Sequence, residues 1–238
     1  MSWPSARGRS LFLALLLAVG AMAAFEKGAP YEELKKDFVS LLEEKRAVSK
    51  APKNGKELQA KLNAGYDPNS ELKPGVPLLY FAAAKGERDM TAMLLTAGAD
   101  INVRGMDGFT ALAAAAMGGK SLVVKLLLEK GADLEPQLGG KYRKETPLFL
   151  AVMKNHPACI TTLLKHKANV NALNSDNMTP LHIAVLSGKP KIVKQLLKAG
   201  ADVTIVAKGK TALQFARMKK FKSIVAMLKK ATAAEREL

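Results

Sequence analysis

Between residues 176 and 202 the apolar positions follow two short helical patterns in succession. Thr179 is a suitable N-cap for the first, and Pro180 follows at a helical position where its missing N–H costs no hydrogen bond. Gly188 and Gly200 end the two patterns, since glycine readily adopts the left-handed conformation that closes a helix. The apolar faces consist of Leu181, Ala184 and Val185 in the first helix, and of Ile192, Val193, Leu196 and Leu197 in the second. Neither helix is long enough to be stable alone, so the pattern predicts a helix pair that packs against neighbouring pairs.

The same pattern begins five times along the chain, at Pro77, Thr110, Thr146, Thr179 and Thr211. The intervals between these anchors are 33, 36, 33 and 32 residues. This period, together with the Thr-Pro-Leu-His-Ile-Ala sequence at 179–184, closely resembles the ankyrin repeat. The resemblance covers roughly residues 71–232.

The resemblance implies an all-α fold, an ankyrin-repeat solenoid of stacked helix-turn-helix units with hairpin finger loops. The expected boundaries are a signal peptide at 1–23, a helical N-terminal cap formed by a degenerate ankyrin repeat at 24–70, ankyrin repeats at 71–104, 105–140, 141–173 and 174–205, and a C-terminal capping repeat with a tail at 206–238. Because each repeat contacts only its neighbours, the polar outer faces of the two end units are suited to closing the stack.

Residues 1–23 have the layout of a signal peptide. Arg7 and Arg9 precede an unbroken apolar run at 11–19, and the small residues Ala21 and Ala23 form an A-x-A cleavage pattern. The run is short for a bilayer-spanning helix, so an uncleaved membrane anchor is the less favoured alternative. The sequence predicts export, with cleavage after Ala23, to the periplasm or out of the cell.

Two helical patterns precede the regular repeats, at 31–50 and 56–64. Gly65 lies 33 residues before Gly98, which favours a degenerate repeat that caps the array. A partner-binding helix at 31–50 is the alternative interpretation.

The third repeat is irregular, because three extra residues precede it and raise one interval to 36. The segment 136–144 contains paired glycines and places Tyr142 and Arg143 between lysines. Insertions in repeat proteins often lie on the binding face, but a neutral loop insertion is equally favoured since longer loops cost little. Lys167 stands where other repeats carry glycine, so we expect this unit to be the least stable.

The sequence predicts no catalytic or metal centre and no cofactor. His156 and His166 are too far apart on one helix to share a metal ion, and the resemblance implies a structural role for His182, which would bond to the backbone of the adjoining turn. Cys159, the only cysteine, corresponds to Val123 in an apolar stripe, which predicts a buried small hydrophobe rather than a reactive thiol.

The chain carries 37 Lys and Arg against 21 Asp and Glu, a formal charge of +16, or +14 once Arg7 and Arg9 leave with the signal peptide. Many lysines fall on the outer face of the second helices, which favours anionic partners. The candidates are acidic proteins and an anionic envelope surface or polymer. Nucleic acid is the least favoured, since an exported chain rarely meets it and the sequence has no aromatic stacking platform or known motif. Equally, the charge alone can serve to keep the array soluble and monomeric.

The resemblance implies a non-catalytic module that binds a protein through its finger loops and the concave face of its first helices. It points to nine contact residues: Met106, Phe109, Met117, Tyr142, Arg143, Met153, Lys154, Met178 and Lys208. Each of these side chains could instead fold onto its own repeat. The rival hypotheses are electrostatic adhesion through lysine-rich helices and, with least support, an enzyme of unfamiliar design.

Overall fold

The computed structural model describes residue 52 and residues 54–105, 108–136 and 144–236. These residues belong to one compact unit that begins at Pro52. The predicted signal peptide, the helical pattern at 31–50 and most of the segment 136–144 lie outside the described residues.

Eleven helices occupy the described part of the chain: α1 Gly55–Asn63, α2 Leu78–Lys85, α3 Arg88–Thr96, α4 Ala111–Met117, α5 Ser121–Glu129, α6 Pro147–Met153, α7 Pro157–Lys165, α8 Pro180–Leu186, α9 Pro190–Lys198, α10 Ala212–Met218 and α11 Lys222–Arg236. Two short antiparallel hairpins precede α2 and α10, formed by β1 Glu71–Lys73 with β2 Val76–Pro77 and by β3 Val206–Ala207 with β4 Lys210–Thr211. A single bridge between Arg104 and Thr110 holds the equivalent loop before α4.

The first helices of the repeats begin at threonine caps. The Thr110 hydroxyl accepts the Ala113 N–H at 3.2 Å, and Thr146 does the same for Phe149. Thr179 and Thr211 form capping boxes with the residue three positions on, His182 and Gln214. These local bonds explain why four first helices start where the sequence predicts.

The helices pack in two layers. The first helices α2, α4, α6, α8 and α10 contact one another in sequence, and the second helices α3, α5, α7, α9 and α11 do likewise. Six consecutive alanine and leucine residues of α4, at 111–116, are at most 4% exposed, which allows the neighbouring helices to approach closely. The predicted all-α solenoid of stacked helix pairs is therefore confirmed.

A chain of hydrogen bonds links successive repeats at the turn after each second helix. A side-chain oxygen in one repeat accepts a backbone N–H in the next, and the donor and acceptor residues are separated by 31 to 34 positions. The four pairs are Asn69 with Asp100, Asn102 with Asp133, Glu135 with Asn169, and Asn171 with Asp202. Polar side chains at one recurring position of the repeat therefore hold each unit against the next.

Candidate binding surface

An apolar stripe follows the ends of the first helices. We call this surface the methionine stripe. It consists of the last residues of α4, α6, α8 and α10, which are Met117, Met153, Leu186 and Met218. Three of them are partly exposed, and Met218 is 60% exposed. Because the four helices pack side by side, the stripe extends across four repeats.

The inner side of the stripe is anchored in the core. Met117 and Met153 pack, together with Tyr80, against a buried cluster of Phe109, Ala113 and Leu150. Each methionine therefore has one side held by the fold and another facing outward. A partly buried, unbranched side chain of this kind can adapt its shape to an incoming apolar group.

A row of lysines borders the methionine stripe. These turn lysines lie between the first and second helix of a repeat, or at the adjoining helix end, and comprise Lys85, Lys120, Lys154, Lys189, Lys219 and Lys220. The described residues give none of them a carboxylate within ion-pair distance. Glu87 is the one acidic residue in the same turns. The border of the stripe is therefore strongly positive.

The finger loops have a different character, because two of the predicted contact residues are buried there. Phe109 is 3% exposed and Met178 is 6% exposed. Phe109 packs in a buried cluster with Ala113 of its own repeat and Leu150 of the next, and Met178 is likewise covered within the array. A partner could reach them only after the fold had changed locally.

Charged groups of neighbouring fingers also contact each other. Lys208 Nζ lies 3.2 Å from an Asp176 carboxylate oxygen, and both side chains remain more than half exposed. Burial, together with the nearby Asp176 charge, raises the pKa of Glu145 at the base of the third finger. Lys208 is therefore already paired, although it remains accessible.

The other predicted contact residues fall into two groups. Met117 and Met153 lie in the methionine stripe, and exposed Lys154 is the turn lysine next to Met153. Met106, Tyr142 and Arg143 lie outside the described residues. Three of the nine residues therefore share one surface. Leu186 and Met218 also belong to this surface and are not among the nine predicted residues, although both occupy the repeat position of Met117 and Met153.

His182 has the structural environment of a buried imidazole. It is fully buried, and its Nδ1 accepts the Thr179 N–H at 3.2 Å and lies 2.8 Å from the Thr179 hydroxyl. Burial lowers the pKa of His182, and backbone groups of Lys210 and Ile205 oppose that shift. Among the described residues, no group reaches Nε2 with full hydrogen-bond geometry. Because Nδ1 accepts, we place the proton of the neutral ring on Nε2, facing those backbone groups.

The remaining candidate groups show contacts within the fold. Cys159 is fully buried in α7, as predicted, and burial raises the pKa of its thiol to about 11. His156 Nε2 lies 3.0 Å from the Met117 carbonyl oxygen, and its ring packs over Gly119 of the preceding repeat. In the part of the chain that the structure describes, no three His, Cys, Asp or Glu side chains are grouped to hold a metal ion.

Comparison with known families agrees with the geometry. A family model described as ankyrin repeats (3 copies) matches residues 46–138 and again residues 136–207, together more than half of the chain. A search of curated proteins finds no match.

Proposed function

Because the chain belongs to the ankyrin-repeat family, whose repeats are generally protein–protein interaction modules, we propose that it is a non-catalytic binding protein. It captures a protein partner through its finger loops and the exposed face of its first helices. Its biological role is that of an inhibitor, an immunity-type protein or an assembly factor for an exported protein. A stack of repeats suits this role since it presents equivalent side chains at regular intervals over a long surface.

The observation that carries this proposal is the methionine stripe across four repeats. Methionine is enriched at protein interfaces, and adjoining apolar side chains at one repeat position make a continuous strip of contact area. Met218 is 60% exposed, and it is one of four large apolar side chains that the described residues leave open to solvent. Such exposure is favourable when a partner covers the side chain.

A capture experiment tests the proposal. The purified chain is immobilised and exposed to envelope and secreted extracts at low and high salt. A bait with Tyr142→Ala and Arg143→Ala tests the third finger, and one with Met153→Gln and Met218→Gln tests the helix face. Phe109 is left unchanged because truncating a side chain that is 3% exposed would create a core cavity.

The proposal is supported, and the partner identified, if the unmodified chain retains one protein at high salt and either substituted bait loses it. Retention only at low salt, unaffected by all four substitutions, would contradict it. Charge-driven adhesion weakens as salt screens the exposed charges, whereas an apolar contact largely survives.

Adhesion to an anionic envelope surface or polymer is the second candidate function. On α9, the side chains of Lys191, Lys194 and Lys198 are all exposed, and their spacing places them on the outward side of an amphipathic helix. Co-sedimentation with anionic lipid vesicles that disappears at high salt, and with Lys191→Gln, Lys194→Gln and Lys198→Gln together, would favour this function. Salt-resistant binding to one protein would favour the first.

We propose further that the protein is exported to the periplasm or beyond the cell, on the signal-peptide pattern of residues 1–23. Those residues lie outside the described part of the chain. Among the helices that the structure does describe, none combines the length and apolar character needed to span a bilayer. Cell fractionation with N-terminal sequencing tests this proposal, and a full-length chain retained in the cytoplasm would contradict it.

A further inference from the structure

Resting on the proposed binding function, we infer that the methionine stripe and the turn lysines bind one kind of segment: an acidic peptide stretch with apolar side chains at intervals of about 10 Å. The apolar side chains lie on the stripe, and the carboxylates face the lysines. This assigns a partner chemistry to the face of the first helices.

The spacing follows from the packing of the repeats. Packed helices lie about 8–10 Å apart, so equivalent residues of neighbouring first helices recur at about that distance. A peptide in the polyproline II conformation has three residues per turn and rises about 3.1 Å per residue, so every third side chain returns to the same face after about 9 Å. A segment with an apolar residue at every third position therefore matches Met117, Met153, Leu186 and Met218 in turn.

The charges select acidic residues for the intervening positions. Lys154 directly follows Met153 and Lys219 directly follows Met218, while Lys120 and Lys189 each lie three residues after a stripe residue. A basic segment would place like charges beside these groups, which is costly. A neutral segment would leave the positive field without a counterpart.

Structural demands do not account for all of the turn lysines. Lys154 and Lys219 cap the carboxyl ends of α6 and α10, where a cation interacts favourably with the helix dipole. Lys120 and Lys189, however, are N-caps of α5 and α9, where the dipole disfavours a cation and neither side chain makes a capping hydrogen bond.

Packing of the lysine stem does not require the charge either. Lys120 covers Gly86 of the preceding repeat, and at the same repeat position His156 covers Gly119 and Phe221 covers Gly188. An uncharged side chain therefore serves the packing equally well. The charge of Lys120 and Lys189 is left for an external carboxylate.

The test uses the full-length chain and three labelled synthetic peptides, each with four copies of a triplet: Leu-Glu-Glu, Ser-Glu-Glu or Leu-Lys-Lys. Fluorescence anisotropy at about 150 mM salt measures their binding. We expect the Leu-Glu-Glu peptide to bind at least about tenfold more tightly than the Ser-Glu-Glu peptide, because only the first can cover the stripe. The Leu-Lys-Lys peptide should not bind.

Matched variants separate the turn lysines from net charge. Lys154→Gln, Lys189→Gln and Lys219→Gln together should weaken the Leu-Glu-Glu peptide about tenfold, as expected for three lost charge contacts. Lys125→Gln, Lys130→Gln and Lys165→Gln remove the same charge from the layer of second helices and should leave binding unchanged. Met153→Gln with Met218→Gln should reduce the preference for Leu-Glu-Glu over Ser-Glu-Glu. Circular dichroism melting confirms that each variant is folded.

Three results would overturn the inference: no binding of the Leu-Glu-Glu peptide, equal binding of the Ser-Glu-Glu peptide, or equal losses from both lysine variants. The proposed binding function fails separately. If a protein is captured at high salt while the peptide neither binds nor competes, the function stands and the inference is wrong. If the peptide binds as expected while no protein is captured, the inference stands and the function loses its support.

Discussion

At the scale of single residues, burial determines the chemistry of the few ionisable groups inside this fold. His182 and Cys159 are fully buried, and Glu135 is partly buried. Desolvation is the largest influence on the pKa of all three, and in each case it favours the uncharged form. Each group therefore gives a distinct and measurable effect of pH or reactivity.

Cys159 should be unreactive in the native protein. Its pKa of about 11, raised from 9.0, leaves about one hundredth of the thiolate that an unperturbed thiol has. We expect iodoacetamide to label the native chain at least about 100-fold more slowly than the urea-unfolded chain. Mass spectrometry checks this, with Cys159→Ser as the unlabelled control. Equal rates in the two states would contradict the buried placement.

His182 should make the protein less stable in mild acid. The folded state lowers the pKa of His182 from its ordinary value of 6.5. As pH falls below 6.5, the unfolded chain therefore takes up a proton at this residue before the folded chain does. The contribution of the neutral ring is thus complete above pH 6.5 and declines below it. In the next repeat Gln214 takes the equivalent place and accepts the Thr211 N–H. His182→Gln should therefore reduce the change of the melting temperature with pH between about pH 5 and pH 7.

The control for this measurement is exposed His166. His166→Gln should leave the pH dependence of the melting temperature as it is. If His182→Gln changes the melting temperature equally at every pH, the buried imidazole does not titrate with folding.

Glu135 should act in the opposite direction. Burial, followed by the nearby Asp133 charge, raises its pKa, although a hydrogen bond from the Asn169 backbone opposes the shift. Its contribution is therefore complete at pH values below 4.5 and is lost as pH rises through the folded pKa. Gln keeps a carbonyl acceptor for Asn169, so Glu135→Gln should raise the melting temperature at pH 7 by about 2 °C, and less at pH 4. Differential scanning calorimetry at both pH values, with exposed Glu129→Gln as the control, checks this. A lower melting temperature at pH 7 would contradict it.

At the scale of elements, helix ends decide how well each repeat closes. Gly131 follows α5 with φ 87°, and Lys167 adopts φ 68° at the equivalent place after α7. A left-handed backbone costs a residue with a side chain about 1–2 kcal/mol, which glycine avoids. The expectation that the third repeat is the least stable depends on this substitution and remains a prediction.

Lys167→Gly should therefore stabilise the protein. After the entropy cost of an added glycine, we expect a gain of about 1 kcal/mol in unfolding free energy, measured by urea denaturation. Lys130→Gly is the matched control, since Lys130 has φ −92° and caps the preceding equivalent helix without left-handed strain. If both variants lose stability, the left-handed residue is not a weak point. Native-state hydrogen exchange tests the wider expectation for the third repeat, because it measures whether α6 and α7 open before the other helix pairs.

At the scale of the whole molecule, charge and the repeat array work against each other. The chain carries a formal charge of +16. Three ion pairs among the described residues, Arg88–Asp89, Lys125–Glu129 and Lys208–Asp176, all lie at the surface. Self-repulsion destabilises a compact state, and salt screens it. An increase in NaCl from about 20 mM to about 500 mM should raise the melting temperature by a few degrees.

The variant with Lys125→Gln, Lys194→Gln and Lys198→Gln should show a smaller increase with salt, since it begins with less repulsion. Thermal melts of both proteins over a salt series make the comparison. A melting temperature that is independent of salt would show that the charges are far enough apart not to oppose folding.

The sequence by itself determined the architecture, because the repeat signal is local. Four first helices start at a threonine cap such as Thr179, and helices α1 to α10 each end within two residues of a left-handed residue such as Gly188. Both features act within one turn of the chain. Apolar positions such as Cys159 and the alanines of α4 then mark the faces that must be buried. These features recur at a fixed period, so the stacking of equivalent faces follows from any one unit.

Only the tertiary structure decided which side chains a partner can reach. Phe109 and Met178 have interface character in sequence, yet contacts within the array bury both. Leu186 and Met218 gain meaning only when side-by-side packing of the first helices aligns them with Met117 and Met153. The physical reason is that exposure depends on atoms contributed by neighbouring repeats, about 30 residues away in the chain, which no local pattern specifies.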